Sequence, residues 1–157
     1  MFYCEKDNIL FSERFIFSSD CIDIKDNENF YSYSFRCPNI TCNEKLITVD
    51  NNVALPLLII NKKGYKAHIH AQARELNFTA EIGIVFEEKY FFQTLPHGFK
   101  YIFNDIVKNK YVIYKNNEDD DRIKMQYKLL EASCQLAAWA IELPDNTSAE
   151  YTEKECV

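Results

Sequence analysis

Phe35-Arg-Cys-Pro-Asn-Ile-Thr-Cys-Asn-Glu-Lys-Leu46, "FRCPNITCNEKL", places two of the chain's six cysteines five positions apart around a proline. The clean alternation of Tyr31, Tyr33 and Phe35 against Ser32, Ser34 and Arg36 reads as a strand running into this turn. Beyond it, Gly64 to Ala71, "GYKAHIHA", carries two of the three histidines. A strand puts residues i and i+2 on one face, so His68 and His70 can reach a common point. Whether the segment between the pairs forms a hairpin that joins them decides the fold of this half of the chain.

Working outward, strands are expected over 9–17, 30–36, 45–49, 53–60, 65–71 and 80–86, with an acidic loop over 18–29. Asp50-Asn51-Asn52 and Asn61-Lys62-Lys63-Gly64 read as turns, which makes 45–49 and 53–60 neighbouring strands. Phe99, Ile102, Phe103 and Ile106 recur at helical spacing and predict a short helix over 98–108, followed by a strand at "YVIY". Asp121 is a candidate N-cap for a long helix from Arg122 to Leu143. That helix has two apolar stripes. One is Ile123, Tyr127, Leu130, Cys134, Ala137 and Ile141, and the other is Met125, Leu129, Ala132, Leu136, Ala140 and Leu143. A helix apolar on two sides is expected to be buried against the sheet or a partner, with Cys134 in the core. The fold class is therefore α+β: a mainly antiparallel β region over the first two-thirds with a zinc-ribbon-like hairpin, then a short helix and a long C-terminal helix packed on the sheet. Residues 1–143 form one domain, with the zinc-ribbon-like element at about 35–71, and 144–157 a flexible acidic tail.

The chain has 157 residues, of which 47% are hydrophobic, including twelve Phe and ten Tyr. That is enough for one core without disulfides. Eighteen basic against 24 acidic residues give a formal charge of −6, the wrong sign for gripping phosphates, so direct nucleic-acid binding is disfavoured. The start lacks a basic region followed by an apolar one, and no apolar run approaches the ~20 residues of a membrane helix. A cytoplasmic location, with thiols or metal ligands in place of disulfides, is the expectation. Three glycines leave no phosphate-cradling or nucleophile-elbow motif.

Cys37, Cys42, His68 and His70 together make a Cys₂His₂ set, a common solution for tetrahedral structural zinc. The competing reading has small buried cysteines and solvent-facing or hydrogen-bonded histidines. Cys4, Cys21 and Cys156 have no partner that the sequence identifies. "FRCPNITC", followed by "KLITVD" and "GYKAHIHA", resembles the N-terminal zinc ribbon of CoiA-like competence proteins over about residues 30 to 72. That resemblance implies a structural zinc. Its C-x4-C and H-x-H spacings depart from the family's shorter Cys loop and wider histidine pair, and no nuclease-like region follows. "HIH" also resembles the metal-binding core of HUH single-strand endonucleases, which implies a divalent ion and a tyrosine nucleophile, with Tyr101 or Tyr127 as candidates.

Two function classes follow. The first is a non-enzymatic, acidic, zinc-stapled protein acting by contact with another protein. A basic nucleic-acid-binding protein is the suited partner, as expected of a phage or mobile-element inhibitor of host defence, and the doubly apolar helix permits a homodimer. The second is a metal-dependent enzyme or accessory protein, CoiA-like or HUH-type, acting on nucleic acid.

Overall fold

A computed structural model describes residues 1–19, 21–27, 30–69, 79–104, 110–119 and 121–146. The chain is α+β, with antiparallel sheets and a long C-terminal helix. β1 (Phe2–Cys4) lies between β2 (Ile9–Phe11) and β5 (Ile47–Thr48) in a three-stranded sheet. A short helix, α1 (Glu13–Phe17), follows β2, capped by Ser12 Oγ accepting the Phe15 N–H. β3 (Ile22–Asn27) and β4 (Phe30–Phe35) form a separate hairpin. The second half is a four-stranded sheet in the order β6 (Ala67–Ile69), β7 (Thr79–Phe86), β9 (Lys110–Glu118), β8 (Lys100–Asn104). Helices α2 (Asn51–Lys62) and α3 (Arg122–Glu142) pack on it and on each other.

Strand alternation in β1 divides the interior. Tyr3 points into a large core with Leu57, Ile60, Ile84, Phe86, Ile113, Leu136 and Trp139. Phe2 and Cys4 point the other way, into a small cluster with Ile16, Cys37, Cys42 and Leu46. The Tyr3 hydroxyl donates to Asn8 Oδ1 at 2.5 Å and accepts from Asn61 Nδ2 at 2.9 Å, which ties the β1–β2 turn to α2. Asn61 also clamps β6, its amide donating to the Ala67 carbonyl and accepting the Ala67 N–H.

Four sequence expectations are corrected. The segment 53–60 is not a strand but the middle of α2: Asp50 caps it by accepting the Asn52 N–H at 2.7 Å, and Val53, Ala54, Leu57 and Ile60 bury one helical face. The hairpin from 45–49 to 53–60 is therefore absent. Pro56 cannot donate to the Asn52 carbonyl. Ser133 Oγ of α3 donates to that oxygen instead, at 2.6 Å. The segment 98–108 is not a helix over its described residues but β8, paired with β9 from Lys100↔Tyr114 to Asn104↔Lys110. The acidic stretch 18–29 contains β3, which pairs with the whole of β4. The expected strand over 9–17 stops at Phe11, where the Ser12 cap starts α1.

The start of the tail is held. Asn146 N–H donates to the Lys63 carbonyl at 2.6 Å, Tyr65 Oη donates to the Pro144 carbonyl at 3.1 Å, and Lys63 Nζ donates to the Leu143 and Ile141 carbonyls. Gly64 faces this segment at φ +87, and a Cβ there would lie 2.6 Å from the Asn146 carbonyl oxygen, so both backbone conformation and space call for glycine. Residues 147–157 lie outside the described residues.

Candidate metal centre

Cys4 ends β1, and the chain turns through Glu5 to Asn8 before entering β2. Cys37 follows β4 in the same way, after the Arg36↔Lys45 bridge, and Cys42 closes the turn through Asn39. Two turns thus face one another, each delivering a pair of donors: Cys4 with Asp7, and Cys37 with Cys42. One ligand atom from each of the four lies within 4.8 Å of every other, close enough to hold a metal ion. Cys4 Sγ and Cys42 Sγ are 3.5 Å apart, and Cys37 Sγ donates to Asp7 Oδ2 at 3.3 Å. Ligands around tetrahedral zinc, bound at ~2.3 Å through sulfur and ~2.1 Å through oxygen, sit roughly 3.5–3.8 Å apart. The Cys4–Cys42 and Cys37–Asp7 spacings are within a few tenths of an ångström of that range, and the other pairs lie within 4.8 Å.

The turn at Cys37 is built for thiolates. Pro38 has no N–H, so the first free backbone donor is that of Asn39, and it is directed to the Cys37 sulfur; the Glu44 N–H is directed to the Cys42 sulfur in the same i+2 relation. Asn43, at φ 52, allows the chain to turn back after Cys42. The turn itself is closed by the Cys42 N–H donating to the Asn39 carbonyl at 2.9 Å and the Cys37 N–H donating to the Glu44 carbonyl at 2.7 Å. The Asn39 side chain donates to Asp7 Oδ2 at 2.9 Å, so the same residue supports both turns.

Electrostatics set the protonation state. Burial pushes the Cys37 thiol up to about 12, with its neighbours Cys4, Asp7 and Cys42 adding to the shift, and burial also raises Cys42. Asp7 is held below the ordinary carboxylate range, first by the Asn39 hydrogen bond. Without a cation Cys37 and Cys42 keep their protons; a divalent ion would displace them.

Of the residues singled out from sequence, Cys37 and Cys42 belong to this group. His68 does not: its Nδ1 is 2.7 Å from Glu5 Oε1 and its Nε2 is 2.7 Å from Glu87 Oε1, so both ring nitrogens face carboxylates. His70 lies outside the described residues. Of the expected Cys₂His₂ set, the described residues bring Cys37 and Cys42 together, with Cys4 and Asp7 beside them and His68 apart. The signal that could have found Cys4 and Asp7 is the repeat of one pattern, a strand ending in cysteine and entering a tight polar turn, at "FYCEKDN" and at "FRCPNIT". Among the endonuclease-type candidates, Tyr101 lies in β8 with its ring 5.8 Å from that of Phe92, and Tyr127 is exposed on α3. Cys134, expected in the core, is exposed on α3.

Among the described residues no helix is long and apolar enough to cross a membrane. The chain matches no family model, no curated protein and no solved structure.

Proposed function

We infer that the chain is a non-catalytic binding protein whose N-terminal lobe is stapled by one zinc ion held by Cys4, Asp7, Cys37 and Cys42. The observation that carries this is the convergence of four donor atoms within 4.8 Å, three of them from buried cysteines of the small cluster and the fourth from half-buried Asp7 at its edge. Three thiolates and a carboxylate suit zinc, and four protein donors leave no open position for a substrate or an activated water. The residual charge on such a site is −2, from four anionic donors and one divalent cation. Lys6 lies beside it, Nζ donating to the Cys42 carbonyl at 3.5 Å.

Acting through contact is favoured by the acidic balance of −6 and by apolar side chains at the surface of the same lobe, Phe15, Phe17 and Ile40. A partner with a basic face fits this chemistry. The test is elemental analysis of the purified chain, expected to give one zinc per chain that is lost in Cys37→Ser. A folded protein that takes up no metal from equimolar zinc overturns the staple. Cleavage of single-stranded DNA with Mn²⁺, with a covalent adduct lost in Tyr127→Phe, overturns the non-catalytic reading.

A further inference from the structure

Helix α3 buries Met125, Ala132, Leu136, Trp139 and Ala140 against the sheet and α2. Its opposite side is apolar and uncovered among the described residues: Ile123 is 64%, Tyr127 68%, Leu130 55% and Ile141 62% exposed, with Cys134 exposed between them. Ile123, Tyr127, Leu130, Cys134, Ala137 and Ile141 are spaced 4, 3, 4, 3, 4, the 3.5-residue repeat of a two-helix seam. The stripe runs ~27 Å at 1.5 Å per residue.

We propose that this stripe is the seam of a homodimer in which α3 packs antiparallel against α3 of a second copy. The sequence of the stripe is self-complementary in one register. With Leu130 opposite Cys134 of the second copy, Tyr127 meets Ala137 and Ile123 meets Ile141, so large residues face small ones near the two-fold axis and isoleucines close both ends. Charge selects the antiparallel direction. Arg122, Lys124 and Lys128 lie in the first third of α3, Glu131 near its middle and Glu142 at its end, with Asp145 just beyond. The first turn of α3 has no acidic residue and its last turn no basic one, the reverse of what the helix dipole favours. An antiparallel copy sets Glu142 beside Arg122 at each end of the seam, which offsets that arrangement; a parallel copy sets like charges side by side. The helix is already fixed on its own sheet, so pairing costs little further backbone ordering.

The inference is independent of the metal centre, and so is its test. Sedimentation equilibrium of the full chain is expected to give twice the chain mass at tens of micromolar, by order of magnitude for a seam of this size. Leu130→Glu is expected to weaken association at least tenfold, with circular dichroism and metal content unchanged. Leu130→Cys, oxidised with diamide, is expected to give a disulfide-linked dimer through Cys134 of the other copy, lost when Cys134→Ser is added. A chain that stays monomeric at every concentration, whether its own tail or a different protein covers the stripe, overturns the proposal. A dimer indifferent to Leu130→Glu, or a cross-link that survives Cys134→Ser, overturns it equally.

Discussion

The two clusters on either side of β1 differ in size and in composition. The large core joins α2, α3 and the four-stranded sheet through eighteen buried residues, with aromatic contacts such as Phe86 to Phe92 at 5.1 Å and Phe92 to Trp139 at 5.0 Å. Among the described residues the small cluster has six buried members, and three of them are cysteines. Its strands are short, two or three residues in the β1 sheet, and its hairpin β3–β4 leaves Ile24 and Tyr33 exposed. Small apolar clusters bury too little surface to offset the ordering of their chain, and a metal is one general remedy. The comparison teaches that one chain can use hydrophobic packing where it has enough surface to bury and gather donors able to hold a metal ion where it does not.

The strongest way to break this comparison is to withhold the proposed metal from Cys4, Asp7, Cys37 and Cys42. Zinc sites in finger peptides contribute an apparent ~10–16 kcal/mol to folding, so chelation or Cys37→Ser is expected to weaken amide protection in β1, β2 and the 36–46 turn, which stay folded but open more often. The four-stranded sheet should stay protected; hydrogen exchange read by mass spectrometry distinguishes the two lobes. Equal loss in both would erase the distinction drawn here.

Leu57→Ala tests the other side. Leu57 is fully buried in the large core, and truncation of such a leucine costs about 2–5 kcal/mol. Chemical denaturation should show that loss with zinc content intact.

A third test uses pH. In the metal-free protein the Cys37 thiol is raised from 9.0 to about 12, so the folded form holds a proton that the unfolded form gives up. The stability that this contributes is complete below pH 9 and is lost as pH rises through 12. Metal-free protein should therefore melt progressively lower between pH 9 and 12, beyond the decline of a Cys37→Ser control. The control is needed because burial raises Tyr3 and Tyr65 as well and so adds alkaline sensitivity of the same sign. In the zinc-bound protein the same interval should be flat for Cys37, whose proton is already displaced.

The smallest effect is expected at the seam between α2 and α3. Ser133→Ala leaves the Asn52 carbonyl without the donor that Pro56 cannot supply, a loss of about 1–3 kcal/mol. Denaturant midpoints should fall without change of slope. A neutral substitution would mean that water replaces the hydroxyl.

How far the fold could be read follows from where each signal lives. α3 was legible because its determinants are local: Asp121 accepts from Ile123 and Lys124, and the 3.6-residue pattern persists for twenty-one residues. β4 and β7 alternate clearly enough to be seen alone. The segment "VALPLLII" was not legible, because a short apolar run carries no period of its own, and the Asp50 cap and the Gly64 stop were weighed as turns. "FKYIF" has helical spacing, yet the ladder to β9 decides that it is a strand. The site divided in the same manner: Cys37 and Cys42 lie within one turn and announce themselves, while Cys4 and Asp7 join them only because β1 pairs with β5 and carries its end to that turn.

The amino-acid sequence by itself determined the α+β class, the acidic balance, the long helix and one pair of candidate sulfur donors, since each depends on composition or on residues within a few positions of one another. Tertiary structure alone decided which apolar stripe of α3 is covered, that His68 faces Glu5 and Glu87, and that Cys4 and Asp7 lie beside Cys37 and Cys42. Those outcomes rest on contacts between segments tens of residues apart, where pairing and burial outweigh local preference.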